Sequence, residues 1–313
     1  MSDRLALDDP KTALTRFEHQ LAEAVGARWA VAVDLPSTGL ALACRAAGLG
    51  AGDVLWASPN GSSAAADVAR ACGATVDFVD VDPVTGGLST RALTEKLHHA
   101  ERHGRLPKVL VAYHEAGQPC DLAGLNHLGN LYGFFLIEEA TEALGARYGE
   151  TRVGDCRYGD MVVFGTAGGG GAVTTNREDW ASMLRQLGAS TRMSEAQAAR
   201  AAQGLEVLEG SLARKEALAA RYEAALPEVM RPWRNPDHRS ALPFYPVRLT
   251  AEVGRPAPAP LHLQSAHQGL GFGAGDLPEA ERYAAETRYL PLEAEMTEAV
   301  QDEVVDRVRA AIA

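Results

Sequence analysis

Helical and strand patterns alternate through the first two thirds of this chain, and that alternation limits the architecture more than any other feature. Short apolar runs at 29–34 (WAVAVD), 54–57, 75–81 (TVDFVDV), 108–113 (KVLVAY) and 134–138 (FFLIE) read as strands. Runs with helical apolar spacing lie at 13–25, 39–47, 62–72, 93–103 and 122–132. Two more strand-like runs follow at 161–164 and 172–175. Strands that are apolar throughout and separated by helices imply a parallel sheet covered on both faces. The fold class is therefore α/β, with a mainly parallel sheet of about seven strands. Ligands of such sheets sit beyond the carboxyl ends of the strands, so the residues just after each strand are the ones to inspect.

From 194 a long helical pattern runs to 226. Strand-like runs at 242–249 and 260–263, a Pro-rich loop at 254–260 (GRPAPAP) and a final amphipathic helix over 296–311 follow it. The expected division is a large α/β domain over 1–205, then a bridging helix and a small α+β domain over 206–313.

Composition narrows the function classes. A formal net charge of −11 argues against nucleic acid or an anionic membrane as the main partner. No apolar run approaches the ~20 residues of a membrane span. The first residues, MSDRLALDDPKTALTRFE, lack the basic and apolar regions of a secretory signal, so a cytoplasmic location is expected. Cys44, Cys72, Cys120 and Cys156 are widely spaced with no CxxC, and read as reduced thiols; no metal site is expected. The only lysines are Lys11, Lys96, Lys108 and Lys215.

The stretch VVFGTAGGGGAVTTN, 162–176, holds four consecutive glycines. Phosphate-cradling loops lead into a helix N-terminus. These glycines lead into a strand-like run, which favours a tight turn between strands.

Several stretches resemble one family. They are FEHQLAEAVGARWAVAV (17–33), GLGAGDVLWASP (48–59), GATVDFVDVDPVTGGL (73–88), AYHEAGQPCDL (112–122), LIEEATEALGARYGETRVGDCRYGD (136–160) and the segment 277–312. In this order they are similar to the DegT/DnrJ/EryC1/StrS sugar aminotransferases, which have the type I fold of pyridoxal-phosphate (PLP) enzymes. The resemblance covers nearly the whole chain. It implies a dimer, with active sites built across the two subunits.

The resemblance also implies a set of site residues. A lysine forms a Schiff base with PLP, acting as nucleophile and proton carrier. An aspartate pairs with the pyridine nitrogen and keeps the ring an electron sink. A Ser-Gly-Thr turn, a serine and an asparagine of the partner subunit hold the phosphate. Here Gly159, Asp160 and Phe164 match the passage that precedes the lysine, but the text resumes at the glycines and the segment carrying the lysine is missing. The Ser-Gly-Thr turn aligns with Leu35-Pro36-Ser37, where Pro36 removes a backbone donor. The stacking group aligns with Ser62, the pyridine partner with Glu139, and the neighbouring Gln with Glu142. The phosphate serine becomes Gly165 and the partner asparagine Ser190, while His114 is retained.

These changes together imply a degenerate member, a pseudoenzyme for which no cofactor is expected. It would act as a non-catalytic partner, regulator or ligand binder, as a homodimer or as a heterodimer with an active paralogue. A second reading is a PLP-independent enzyme on a sugar or nucleotide-linked substrate, using His114, Glu139 and Glu142. A third is a residual PLP-dependent sugar-nucleotide aminotransferase. Ser37, Thr38 and Ser62 are candidates for binding ligand hydroxyls, although Ser37 or Thr38 at the start of a helix near 39 also suits an N-cap.

Overall fold

A computed structural model describes residues 12–231, 235–267 and 269–312. Helix α1 (Ala13–Val25) is capped by the Thr12 side chain and ends on Gly26, whose φ of 88° suits a residue without a Cβ. Then follow β1 (Trp29–Val33), α2 (Pro36–Ala46), β2 (Val54–Ala57), α3 (Ala64–Ala71), β3 (Thr75–Phe78), α4 (Thr90–Arg102), β4 (Val109–Tyr113), α5 (Leu122–Tyr132) and β5 (Phe135–Ala140). The two-residue strands β6 (Arg147–Tyr148) and β7 (Thr151–Arg152) form a small hairpin before β8 (Met161–Gly165) and β9 (Gly171–Thr175).

Seven strands make one sheet in the order β1-β9-β8-β5-β4-β2-β3. β3, β2, β4, β5 and β8 pair in parallel, and β9 is antiparallel to both its neighbours. Side-chain alternation along the strands divides the core. Val31, Val33, Val111, Ile137 and Val163 face one side, against α2, α3 and Trp180. Ala30, Ala32, Val162 and Phe164 face the other, against Phe17, Leu21 and Ala198. Leu110, Ala112 and Leu136 extend that second face under Leu93 and Leu125. Both faces are thus covered, which is why these strands have little polar alternation.

After β9 come α6 (Glu178–Leu187), α7 (Glu195–Glu206) and α8 (Leu208–Ala225). The long helix expected over 194–226 is therefore two helices, interrupted at Val207 (φ −99°, ψ 0°). Then follow β10 (Tyr245–Arg248), β11 (Arg255–Pro256), α9 (Pro278–Glu286), β12 (Thr287–Leu290) and α10 (Glu298–Ile312). The strand expected over 242–249 is confined to β10. The run at 260–263 is a single 3-10 turn, Leu261–Leu263, and the Pro-rich loop contains β11. Residues α8, β10, β12 and α10 share a further core that includes Tyr222, Tyr245, Leu290 and Val308.

The C-terminal segment also docks on the sheet. Asp80 accepts the Glu279 and Ala280 amides at 3.1 and 2.9 Å, placing a carboxylate at the positive end of α9. Tyr283 packs so closely on Gly86 that a Cβ there would lie 2.3 Å from its ring.

Candidate functional site

The strands present their carboxyl ends to one cavity of about 540 Å³. Its wall includes Ser37 after β1, Ser62 after β2, Tyr113 at the end of β4, and Glu139, Thr141 and Glu142 at the end of β5. This is where the rule for parallel sheets places a ligand.

Glu139 is 3% exposed, and the Ser62 hydroxyl donates to its Oε1. Burial lifts the Glu139 carboxyl from 4.5 to about 7, against the lowering effect of the Ser62 bonds. Tyr113 Oη donates to Glu142 Oε2 at 3.2 Å. Burial, and then the carboxylates around it, push the Tyr113 phenol up.

His114 and Glu138 lie behind this wall. His114 Nε2 is 3.0 Å from Glu138 Oε2, and the Cys120 amide donates to His114 Nδ1 at 3.4 Å. Glu138 Oε1 accepts the Gly159 amide at 3.0 Å. Burial disfavours the imidazolium, but contacts with Cys120 and Glu138 outweigh it and raise its pKa to about 10. The structure thus separates the three candidates of the second reading. Glu139 and Glu142 bound the cavity; His114 is buried and does not.

The other expected site residues are placed as follows. Pro36, not a residue near 39, opens α2, and Leu35 is its N-cap without a side-chain bond. Ser37 and Thr38 are therefore inside the first turn rather than capping it. Ser37 faces the cavity. Gly165 ends β8 beneath Thr141, and a Cβ there would lie 2.7 Å from the Thr141 carbonyl oxygen. Ser190 is exposed in the turn after α6, away from the cavity of its own chain.

The glycine run closes a hairpin. Gly165 pairs with Gly171, and the Thr166 amide donates to the Gly170 carbonyl at 2.9 Å. Gly168 and Gly169 turn the chain at φ of 89° and 85°. A Cβ on Gly171 would lie 2.6 Å from the Pro36 nitrogen, so the hairpin passes directly against the start of α2.

The lysines are engaged elsewhere. Lys96 Nζ is 2.6 Å from Asp77 Oδ1 and lies over the Trp56 ring. Lys108 Nζ is 3.1 Å from Asp53 Oδ2, at the amino ends of β4 and β2. Lys215 is on α8. None of these three bounds the cavity; Lys11 lies outside the described residues.

Glu115 is a further buried carboxylate near the site that the motifs do not single out. It is buried two residues after the cavity-lining Tyr113, and both Tyr283 and Tyr289 donate to its Oε1, at 3.3 and 2.5 Å. Burial, only partly opposed by those two bonds, lifts its carboxyl to about 7. Its position directly after His114, beyond the end of β4, was the available signal.

The chain matches the family model described as the DegT/DnrJ/EryC1/StrS aminotransferase family over residues 11–309. The chain belongs to this family. Among curated DegT/DnrJ/EryC1/StrS relatives it is similar to the spore coat polysaccharide biosynthesis protein SpsC of Bacillus subtilis, at 27% identity over 94% of this chain and 88% of SpsC. It is 28% identical to GDP-perosamine synthase of Caulobacter vibrioides over 93% of this chain and 88% of the synthase. The crystal structure of a DegT/DnrJ/EryC1/StrS aminotransferase from Brucella abortus superposes with a TM-score of 0.88 at 25% identity, covering 95% of this chain and 90% of that one. The fold is that of the type I PLP aminotransferases. Among the described residues no helix is long and apolar enough to cross a membrane, and no group of His, Cys, Asp and Glu is arranged to hold a metal ion.

Proposed function

We propose that this family member does not transaminate through PLP and serves as a non-catalytic partner of an active paralogue, regulatory or ligand-binding in role. The observation that carries this reading is the cavity wall. Its charged residues are Asp67, Glu139 and Glu142, and no described lysine reaches it. PLP needs an amine for the Schiff base and donors or cations for its phosphate. Pro36 offers no amide at the start of α2, and a serine at 165 would collide with a backbone carbonyl. The residues present do not fit the cofactor.

Mixing the purified chain with PLP tests this directly. No visible absorbance of a lysine adduct should develop, and borohydride should fix no pyridoxyl group. A yellow protein that bleaches on reduction overturns the reading. For the partner role, the chain should co-purify with an intact paralogue; a homodimer that never exchanges subunits with one would sink it.

A second reading has its own support in the Ser62–Glu139 pair. A carboxyl near neutral pKa that accepts a serine hydroxyl bond is suited to acid–base work. A cellular phenotype that survives Glu139→Gln unchanged would eliminate that enzyme reading.

A further inference from the structure

A second cavity, of about 200 Å³, lies beside the β6–β7 hairpin and shares no residue with the one at the strand ends. The chain passes from one to the other within a few residues. Thr141 and Glu142 face the first, Leu144 and Gly145 face the second, and the fully buried Ala143 lies between them. Three segments build the second cavity: the last turn of α1, the hairpin with its lead-in, and the junction of α7 and α8. The helix break at Val207 falls between Leu205 and Leu208, which both line it. Val25, Leu144 and Val153 complete its apolar wall.

The charged residues of this wall are Arg147, Arg152 and Glu209. Arg152 Nη1 donates to the Ala24 carbonyl at 2.7 Å, at the negative end of α1. That bond ties the hairpin to the helix but brings no carboxylate to the guanidinium. Arg147 is half-buried, and among the described residues its side chain has no hydrogen bond and no ion pair. Glu209 does not answer them, because its Oε2 is held by Arg239 at 2.8 Å, and Arg239 also takes Glu216 at 2.7 Å. The Arg239 bond first, then Arg147 and Arg152 through space, keep the Glu209 carboxyl below its ordinary value. Three guanidinium groups thus meet two carboxylates. Glu23, Glu150, Asp155 and Glu206, close by in sequence, pair with neither Arg147 nor Arg152.

We infer that this cavity binds a small apolar monocarboxylate, an aryl or short-chain acid of about ten non-hydrogen atoms. A cavity of about 150 Å³ lined by aliphatic side chains holds a benzene ring, so the larger space here takes a ring with a short acid arm. The carboxylate matches the fork of donors on Arg147, which is otherwise unanswered. The hydrocarbon body matches the leucines and valines. A sugar, uncharged and with hydroxyls on every side, would leave that wall unmatched. The outcome of adding PLP does not bear on this site, because the two cavities have no residue in common.

Isothermal titration of the full chain with 3-phenylpropionate should give saturable, one-to-one binding. 3-Phenylpropanamide, the same body without the charge, should bind at least tenfold more weakly. Acetate, the charge without the body, should also lose at least tenfold. Arg147→Met removes an unbonded side chain, so it should leave the circular dichroism spectrum unchanged while weakening 3-phenylpropionate at least tenfold. Arg147→Lys, which keeps the charge without the fork, should fall between the two. Leu208→Glu puts a carboxylate into the wall in the first turn of α8, where the helix dipole favours it, and should abolish binding even if Arg147→Met does not fold. Three results each overturn the inference: no saturable binding of 3-phenylpropionate, equal affinity for the amide, or an affinity unchanged in a folded Arg147→Met.

Discussion

Tyr289 donates a 2.5 Å hydrogen bond to Glu115 Oε1, joining β12 to the turn that ends β4. Tyr283 of α9 donates to the same oxygen at 3.3 Å. The turn itself is strained, since Ala116 has a φ of 51°. It is clamped from the C-terminal side, with the Ser240 hydroxyl on the Ala116 carbonyl at 2.9 Å and the Ala241 amide on the Gly117 carbonyl at 3.0 Å. The turn that follows the cavity-lining Tyr113 is thus held in place by residues more than a hundred positions later in the chain.

Tyr289→Phe deletes the shorter of the two bonds to a buried carboxyl. Unfolding free energy should fall by about 1–3 kcal/mol in urea titrations. An unchanged midpoint would mean that Glu115 draws little from this tyrosine.

Stability should decline as pH rises from 5 to 8. Glu115 and Glu139 are raised from 4.5 to about 7 in the folded chain, so the folded state binds more protons than the unfolded state between those values. Their stabilising contribution is complete below about 4.5 and disappears as pH rises through about 7. His114, raised from 6.5 to about 10, acts in the same direction at higher pH. Glu115→Gln should flatten the profile between pH 5 and 8, as measured by urea unfolding at a series of pH values. A parent protein whose stability rises across that window contradicts the assignment.

Gly165→Ser restores the hydroxyl that the family resemblance implies at this position. Its Cβ would sit 2.7 Å from a backbone oxygen that cannot turn aside. The variant should lose about 1–3 kcal/mol and gain no PLP absorbance. A serine tolerated without loss, with a spectrum that appears on adding PLP, would show the cradle to be open.

His114→Ala leaves Glu138 buried without its partner. The expected loss is about 3–5 kcal/mol, visible as a large drop in thermal midpoint. His114→Gln, which keeps a donor toward Glu138, should recover part of it. If both variants unfold like the parent while ligand binding is lost, His114 acts on the cavity instead of the core.

Much of the site was legible because a parallel sheet aims its carboxyl ends at one place. Ser37, Ser62, Glu139 and Glu142 each follow or end a strand, and all four reach the cavity. Gly168 to Gly171 were legible as a turn because a strand, β9, follows them. What failed were elements whose identity depends on distant partners. Ser37 and Thr38 looked like caps because their side chains suit one; Pro36, pre-set to a helical φ, starts α2 earlier. The run 260–263 is apolar for a different reason than strand pairing: Leu261 is buried on the main core, and its amide bonds the Pro59 carbonyl.

The α/β class, the family and the set of residues at the strand ends were already written in the amino-acid order, because hydrophobic period and motif order are local properties of the chain. Which of those residues share a solvent space depended on how the folded chain brings distant segments together. Adjacent positions on a strand point to opposite faces, so Glu138 turns inward to His114 while Glu139 turns to Ser62 and the cavity. Glu115 became a buried hub for the same kind of reason: its two tyrosine partners lie 168 and 174 residues away, a distance that no local pattern encodes.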